Sequence, residues 1–272
     1  MSGSPLRRSP RIILGQNPGL LTGRGTNTYL LGSGRLILID TGAGVPADEP
    51  RLKEAVEESR GTLSLVLVTH GHRDHAGGIG AVKRMYPDAV VRKFPGSEPP
   101  AMSSPIQPGE LIHLDGITLR AIHTPGHAAD HLCFYWVEER VLFSGDLILG
   151  EGTVVIPRRG GNLLEYLGSL ERLRSLDIQR IYPGHGPVIE DPAAKIAADM
   201  DHRQMRERQI LEALGAGAGT IQEMVALIYA HVPGALHSAA AESVWNHLVK
   251  LEGDHRVHRI EADGKEFYEL IP

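Results

Sequence analysis

The sequence predicts an α/β fold followed by a smaller C-terminal α+β segment. Short apolar runs of strand length alternate with stretches of helical spacing up to about residue 190. Four of those runs end in polar residues set on Gly or Pro turns, where function is usually grafted onto a scaffold. After Asp191-Pro192 the texture changes to a long helical pattern rich in Ala, Arg, Glu and Met. These observations place a main domain over residues 1–200 and a second one over 201–272.

The elements follow in order. Residues 11–14, 26–31 and 35–40 have strand length, and 47–58 has helical spacing with Leu52, Ala55 and Val56 on one side. Residues 63–68 (LSLVLV) read as a buried strand, 74–86 as a helix and 89–93 as a returning strand. Five prolines and no periodicity make 94–108 a loop, either part of the rim of a cleft or a plain surface excursion. Strands are expected at 110–114, 117–123, 131–137 and 141–144, and a further short apolar run ends at Tyr182. Leu163, Leu164, Leu167, Leu170 and Leu173 share a helical stripe over 162–176. A long helix over 193–214 ends in Gly-Ala-Gly-Ala-Gly, and Thr220 with Glu223 forms a capping-box pattern for 221–231. A helix over 236–251 and a hairpin over 256–270, turning at Asp263-Gly264, complete a winged-helix-like order.

Composition narrows the function classes. A hydrophobic share of 42% supports a sizeable core, and 32 glycines in 272 residues, against an average of about 7%, suit many strand-end turns. The net charge of −5 gives no general nucleic-acid surface. From Asp201 onward, seven Lys/Arg face eleven Asp/Glu, which argues against reading duplex DNA. Cys133 is the single cysteine and lies in an apolar run, so no intrachain disulfide framework exists. The basic N-terminus lacks an apolar signal region, and no apolar stretch approaches membrane-spanning length. A cytoplasmic protein is expected, with no membrane partner.

The most informative segment follows the strand over 63–68. His70, His72, Asp74 and His75 fall within six residues, and imidazole and carboxylate are ligands for zinc and related metals. On an extended stretch His70 and His72 share a face and can point at one ion, while Asp74 and His75, past the turn, can point at a second. Thr124-Pro125-Gly126-His127, Ser144-Gly145-Asp146 and Pro183-Gly184-His185 each place one more metal-capable residue after an apolar run. Five histidines and two carboxylates suffice for two ions with a shared ligand.

In order and spacing these motifs resemble the metallo-β-lactamase superfamily. The resemblance implies an αββα sandwich with a dinuclear site at one edge, and a hydrolase activity. It assigns one metal to His70, His72 and His127, a second to Asp74, His75 and His185, and a bridging role to Asp146. Further segments, among them Gly25-Thr26-Asn27-Thr28-Tyr29-Leu30, Ile39-Asp40-Thr41-Gly42 and the IYPGHGPVI stretch over 181–189, resemble its lactamase-beta-2-like branch. That branch includes an animal endoribonuclease and fungal acyl-carrier-protein thioesterases, and it carries a similar C-terminal piece. Gly71 is a departure, since the animal enzyme has tryptophan there.

The expected chemistry is hydrolysis by a hydroxide bridging two zinc ions, with Asp74 orienting it and Asp146 setting the metal separation. Asp40 and His131 are expected behind the ligands as hydrogen-bonding residues. The substrate is either short single-stranded RNA or a small-molecule acyl compound, meaning a thioester, lactone or β-lactam. Arg73, Arg158 and Arg159 are candidate local cations for it. A mononuclear iron oxygenase is the non-hydrolytic alternative. His113, His123, His202, His231, His237, His247, His255 and His258 have no motif context and read as structural or solvent-facing.

Overall fold

Alternating side chains along each central strand build two cores at once. In the computed structural model, which describes residues 9–96, 104–262 and 264–272, two β-sheets face each other. The basic stretch before residue 9, residues 97–103 of the proline-rich segment and Asp263 of the hairpin turn lie outside those residues.

The first sheet runs β1 (Arg11–Leu14), β2 (Asn27–Leu31), β3 (Arg35–Ile39), β4 (Thr62–Val68), β5 (Val90–Lys93) and β6 (Ser104–Pro105). The helix α1 (Asp48–Glu58) connects β3 to β4, and α2 (Arg73–Ala76) and α3 (Ile79–Met85) connect β4 to β5. Both crossovers join parallel strands. The second sheet has the order β11-β10-β9-β8-β7, built from β7 (Leu111–Leu114), β8 (Ile117–His123), β9 (Leu132–Trp136), β10 (Val141–Gly145) and β11 (Arg180–Pro183). It is antiparallel except where α4 (Leu163–Arg174) carries the chain from β10 to a parallel β11.

The period of two along a strand explains the layering. Ile37 and Ile39 of β3, Leu65 and Leu67 of β4, and Phe134 and Trp136 of β9 point into the space between the sheets. Their neighbours Leu36, Leu38, Val66 and Val68 point outward under α1 and α3. Cys133 and Tyr135 point outward under α4. The result is the αββα sandwich expected from the sequence.

Two local expectations are corrected. The helix expected over 74–86 is two helices, because the chain breaks at Gly77-Gly78. A Cβ on Gly78 would lie 2.0 Å from the Thr41 carbonyl oxygen, so the loop after β3 passes directly over it. The loop expected over 94–108 contributes the edge strand β6, paired in parallel with β5 through Arg92↔Ser104. Pro105 is tolerated there because an edge position leaves no ladder donor missing.

The helix α5 (Pro192–Gly215) is capped by Asp191, whose side chain accepts from the Ala194 amide, and it runs unbroken through position 200. Ile196 near its start packs under the second sheet, while Ile210, Ala213 and Leu214 near its end join the C-terminal core. That core is completed by α6 (Ile221–Ile228), α7 (His237–Gly253), β12 (Val257–Ala262) and β13 (Lys265–Leu270). Thr220 and Glu223 form the capping box read from the sequence.

Candidate metal centre

Every motif residue sits just beyond the C-terminal end of a strand. His70 follows β4, with His72 capping α2 and Asp74 and His75 inside it; His127 follows β8, Asp146 follows β10 and His185 follows β11. The sandwich brings all seven together at one edge, in two groups whose ligand atoms lie within 4.8 Å of one another.

The first group is His70, His72 and His127. His72 Nδ1 lies 3.0 Å from His70 Nε2 and 2.9 Å from His127 Nε2. The second is Asp74, His75, Asp146 and His185. His75 Nε2 lies 3.2 Å from Asp146 Oδ1, and His185 Nε2 lies 3.1 Å from Asp74 Oδ2 and 3.4 Å from Asp146 Oδ1. The other Asp146 oxygen, Oδ2, is 3.7 Å from His127 Nε2 in the first group. One carboxylate therefore faces both groups. Tetrahedral ligands at zinc distances of ~2.0–2.1 Å stand ~3.3 Å apart, close to these separations.

The outer hydrogen bonds decide which ring nitrogens carry protons. Asp40, buried and with φ +60, accepts from His75 Nδ1 at 2.8 Å. The same carboxylate takes the Thr69 hydroxyl at 2.9 Å, so Thr69 Oγ1 is left to accept from His70 Nδ1 at 3.0 Å. His127 Nδ1 donates to the Val155 carbonyl at 2.7 Å. In each ring the Nε2 lone pair is consequently turned into the site. Lone pairs facing one another form no hydrogen bond. His75 Nε2 and Asp146 Oδ1 are indeed buried without a hydrogen-bond partner. A cation reconciles this arrangement, and the donor set of imidazole and carboxylate fits zinc-type metals.

The charge balance points the same way. Burial disfavours a charged His75, yet Asp146 and Asp40 outweigh it and raise its pKa well above the usual histidine value. Burial likewise opposes charge on His185, but Asp146 and Asp74 lift it to about 9. Asp146 is held well below the usual carboxylate range, His75 and His185 overcoming its burial. The second group thus attracts positive charge. His70 and His127, by contrast, are pushed down chiefly by burial and stay neutral, as ligands must.

His131 lies behind the turn carrying Asp146. Its Nε2 accepts from the Asp146 amide at 3.1 Å, and burial lowers its pKa to about 3, so the ring is neutral with its proton on Nδ1, facing Thr124 Oγ1 at 2.8 Å. It holds the backbone of that turn rather than an imidazole ligand. Gly184 gives the site its closeness, since a Cβ there would lie 2.5 Å from Asp146 Oδ1 and 2.7 Å from His75 Cε1.

A family profile, the metallo-beta-lactamase superfamily, matches residues 21–185. The chain belongs to that superfamily. A second profile, the beta-lactamase associated winged helix domain, matches residues 220–265. A beta-lactamase-like protein 2 homolog of Drosophila melanogaster is 39% identical over 96% of this chain and 93% of its own length. An atrochrysone carboxyl ACP thioesterase of Aspergillus novofumigatus is 40% identical over 81% of this chain and 71% of its own. Among solved structures, a metallo-beta-lactamase family protein of Thermus thermophilus superposes with a TM-score of 0.81 at 24% identity, over 96% of this chain and 98% of that one. A beta-lactamase domain protein of Burkholderia ambifaria gives 0.87 at 18% identity, over 96% and 91%. These two likenesses establish the fold. The chain is a metallo-beta-lactamase-fold hydrolase with a C-terminal winged helix domain.

In this metallo-beta-lactamase fold metal-capable residues open onto a cavity of about 540 Å³ that is also lined by residues of α5 and the C-terminal helices. The cations read from the sequence are not on its wall. Arg73 and Arg159 are exposed, and Arg158 is drawn toward the C-terminal domain, its amide donating to Glu242 and its guanidinium lying 5.0 Å over Trp245. The cavity is lined instead by Arg203 and Arg206, with half-buried His202 beside them. Sequence reading missed both arginines. The available signal was their place on the stripe Ile196, Asp199, Arg203, Arg206, Ile210, which is the buried face of α5. Of the other histidines without motif context, His247 is buried, whereas His113, His231 and His255 are exposed.

Proposed function

We propose that the chain is a dinuclear, zinc-type hydrolase that cleaves thioesters of small acyl compounds. The observation that carries the dinuclear reading is the Asp146 carboxylate, one oxygen facing His75 and His185 and the other facing His127. The thioester reading is supported by thioesterase-named relatives of up to 40% identity and by a cavity with apolar walls at Leu149, Val155 and Leu236.

Two bound ions would supply Lewis acidity toward a carbonyl oxygen and acidify water near neutral pH. His70, His72 and His127 would hold one, Asp74, His75 and His185 the other, and Asp146 both. Asp74 is the most accessible carboxylate of the set, with a side chain 26% exposed. His185 and His75 keep it ionised against its burial, so it is an acceptor that orients the attacking water. Water adds to the acyl carbon, the C–S bond breaks, and the thiol leaves with a proton. The aliphatic wall excludes bulk water from the acyl group.

The ribonuclease alternative has less to rest on. Gly71 offers no ring beside the ligands, and Arg158 is engaged by Glu242 and Trp245. The decisive experiment is metal analysis of purified protein followed by a panel of thioester, lactone, β-lactam and single-stranded RNA substrates. Close to two metals per chain with thioester turnover is expected. Iron alone with oxygen-dependent turnover would overturn the hydrolase reading, and cleavage of RNA with thioesters untouched would overturn the substrate.

A further inference from the structure

The wall of the cavity carries two buried arginines that pair directly with no acidic side chain among the described residues. Arg203 is 3% exposed and Arg206 7%, one helical turn apart on α5. Neither forms an ion pair with a carboxylate among the described residues. Asp199, one turn earlier, is already held by Lys195 at 2.7 Å. Each guanidinium has five N–H donors, and the protein uses few of them. Arg203 donates to the Val154 carbonyl at 2.6 Å, and Arg206 to Gln209 Oε1 at 2.7 Å and, at longer range, to His202 Nε2 at 3.5 Å. The Nε of both is buried without a partner.

Both planes are fixed by aromatic rings. The Arg203 guanidinium lies 4.9 Å over Tyr166, and that of Arg206 lies 4.1 Å over Tyr229. A buried, unpaired charge is expensive to keep, and the two arginines also repel each other. Burial, and secondarily Arg203, lowers the Arg206 pKa below its ordinary value. Neighbouring His202 and His247 are driven neutral, to about 4 and about 3, by burial and then by these two charges. The field beside these arginines is therefore positive, while the same cavity is also lined by Asp74, His127 and Asp146. A cavity of about 540 Å³ lies within the ~300–1,000 Å³ typical of small-ligand sites.

We propose that Arg203 and Arg206 form an anion subsite that takes a carboxylate or phosphate group on the acyl part of the substrate, with the scissile bond at the metal-capable end. The function of this subsite as a substrate site rests on the hydrolase reading; its ability to bind an anion does not. Planar guanidinium forks match the two oxygens of a carboxylate or phosphate. An acyl compound with an apolar body and an anionic far end would satisfy both ends of the cavity at once.

The test uses the metal-loaded, full-length protein and calorimetric binding of linear monocarboxylates, dicarboxylates and ω-phosphonocarboxylates of matched length. The first carboxylate has the same access to the metals in every ligand, so the gain from the second anion isolates the far end. At the chain length that spans the cavity, the second anion should tighten binding about tenfold or more, the worth of a charge-assisted pair. A carboxylate or a phosphonate giving the larger gain identifies the natural head group. Arg206→Gln should reduce the gain to about twofold or less, and Arg206→Lys, which keeps the charge but loses the fork, should retain part of it. Circular dichroism confirms that each variant is folded. If Arg206→Gln does not fold, Arg206→Lys and Arg203→Lys carry the comparison. No gain at any chain length, or a gain left undiminished by these substitutions, overturns the proposal. Because binding is read without turnover, a protein that cleaves no thioester yet discriminates still has the subsite. One that cleaves thioesters without discriminating loses the subsite alone.

Discussion

Asp40 Oδ2 lies 2.8 Å from His75 Nδ1, and the same oxygen lies 2.9 Å from the Thr69 hydroxyl, which in turn contacts His70 Nδ1. A single buried carboxylate thus sets the ring orientation of one histidine in each ligand group. Asn at position 40 tolerates the same left-handed backbone conformation, so Asp40→Asn removes charge without adding strain. Metal affinity should fall about 10–100-fold, measured by competition with a chromophoric chelator. An unchanged affinity would mean that the histidines are oriented by something else.

Removing metal should destabilise as well as inactivate. Without a cation, the buried Asp146 Oδ1 is left with only the His75 and His185 rings, 3.2 and 3.4 Å away, to balance it among the described residues. At a free metal concentration of 100 Kd the bound ions contribute about 2.7 kcal/mol per site. Scanning calorimetry should show the melting temperature falling on treatment with strong chelator and recovering with zinc, and metal analysis should give close to two ions per chain. A content of one ion would contradict the two-group geometry.

Asp146→Ala should damage turnover far more than fold. The turn that carries it is independently held by the His131 ring at the Asp146 amide. Turnover should fall by about a hundredfold or more with the loss of at least one metal, while far-UV circular dichroism stays unchanged. Near-native turnover and metal content would show that Asp146 does not bridge.

Acid should destabilise the C-terminal domain through His247. This ring is 1% exposed and lowered to about 3 by burial first, then by Arg203, Arg206, His202 and Lys250. Its folded pKa lies below the unfolded value of 6.5, so its contribution is fully present above about pH 6.5. As pH drops below that, the unfolded chain takes up a proton that the folded ring refuses, and stability falls down to about pH 3 at up to about 1.4 kcal/mol per pH unit. Urea unfolding across this range, in chelator so that metal release does not contribute, should give a shallower pH dependence for His247→Leu. An identical slope would remove His247 from the account.

The cluster was legible because His70, His72, Asp74 and His75 share one short segment with its own local context: a strand, a tight turn and a fixed spacing. His127, Asp146 and His185 lie far apart in the chain, yet each follows an apolar run, and the sandwich places all those ends at one edge. Asp40 was legible as a polar residue closing β3, although its reach through Thr69 to His70 depends on a contact that no spacing encodes. Arg203 and Arg206 were hidden for the opposite reason. Arginines in a helical pattern usually belong to a solvated face, and only the packing of α5 against the cavity turns them inward. Arg73, Arg158 and Arg159 are nearer the motifs in sequence, but nearness along the chain did not translate into a place on the wall.

The unbroken course of α5 has a consequence for how the molecule comes apart. Ile196 is anchored in one core and Ile210 in another, and continuous hydrogen-bonded backbone rather than a slack tether joins them. Melting either core frays the helix that braces its neighbour, so heat should be absorbed in one cooperative peak. A protease would likewise find no exposed hinge along 192–215 at which to separate the two parts, and exchange of the C-terminal part between relatives would need its join placed outside this helix.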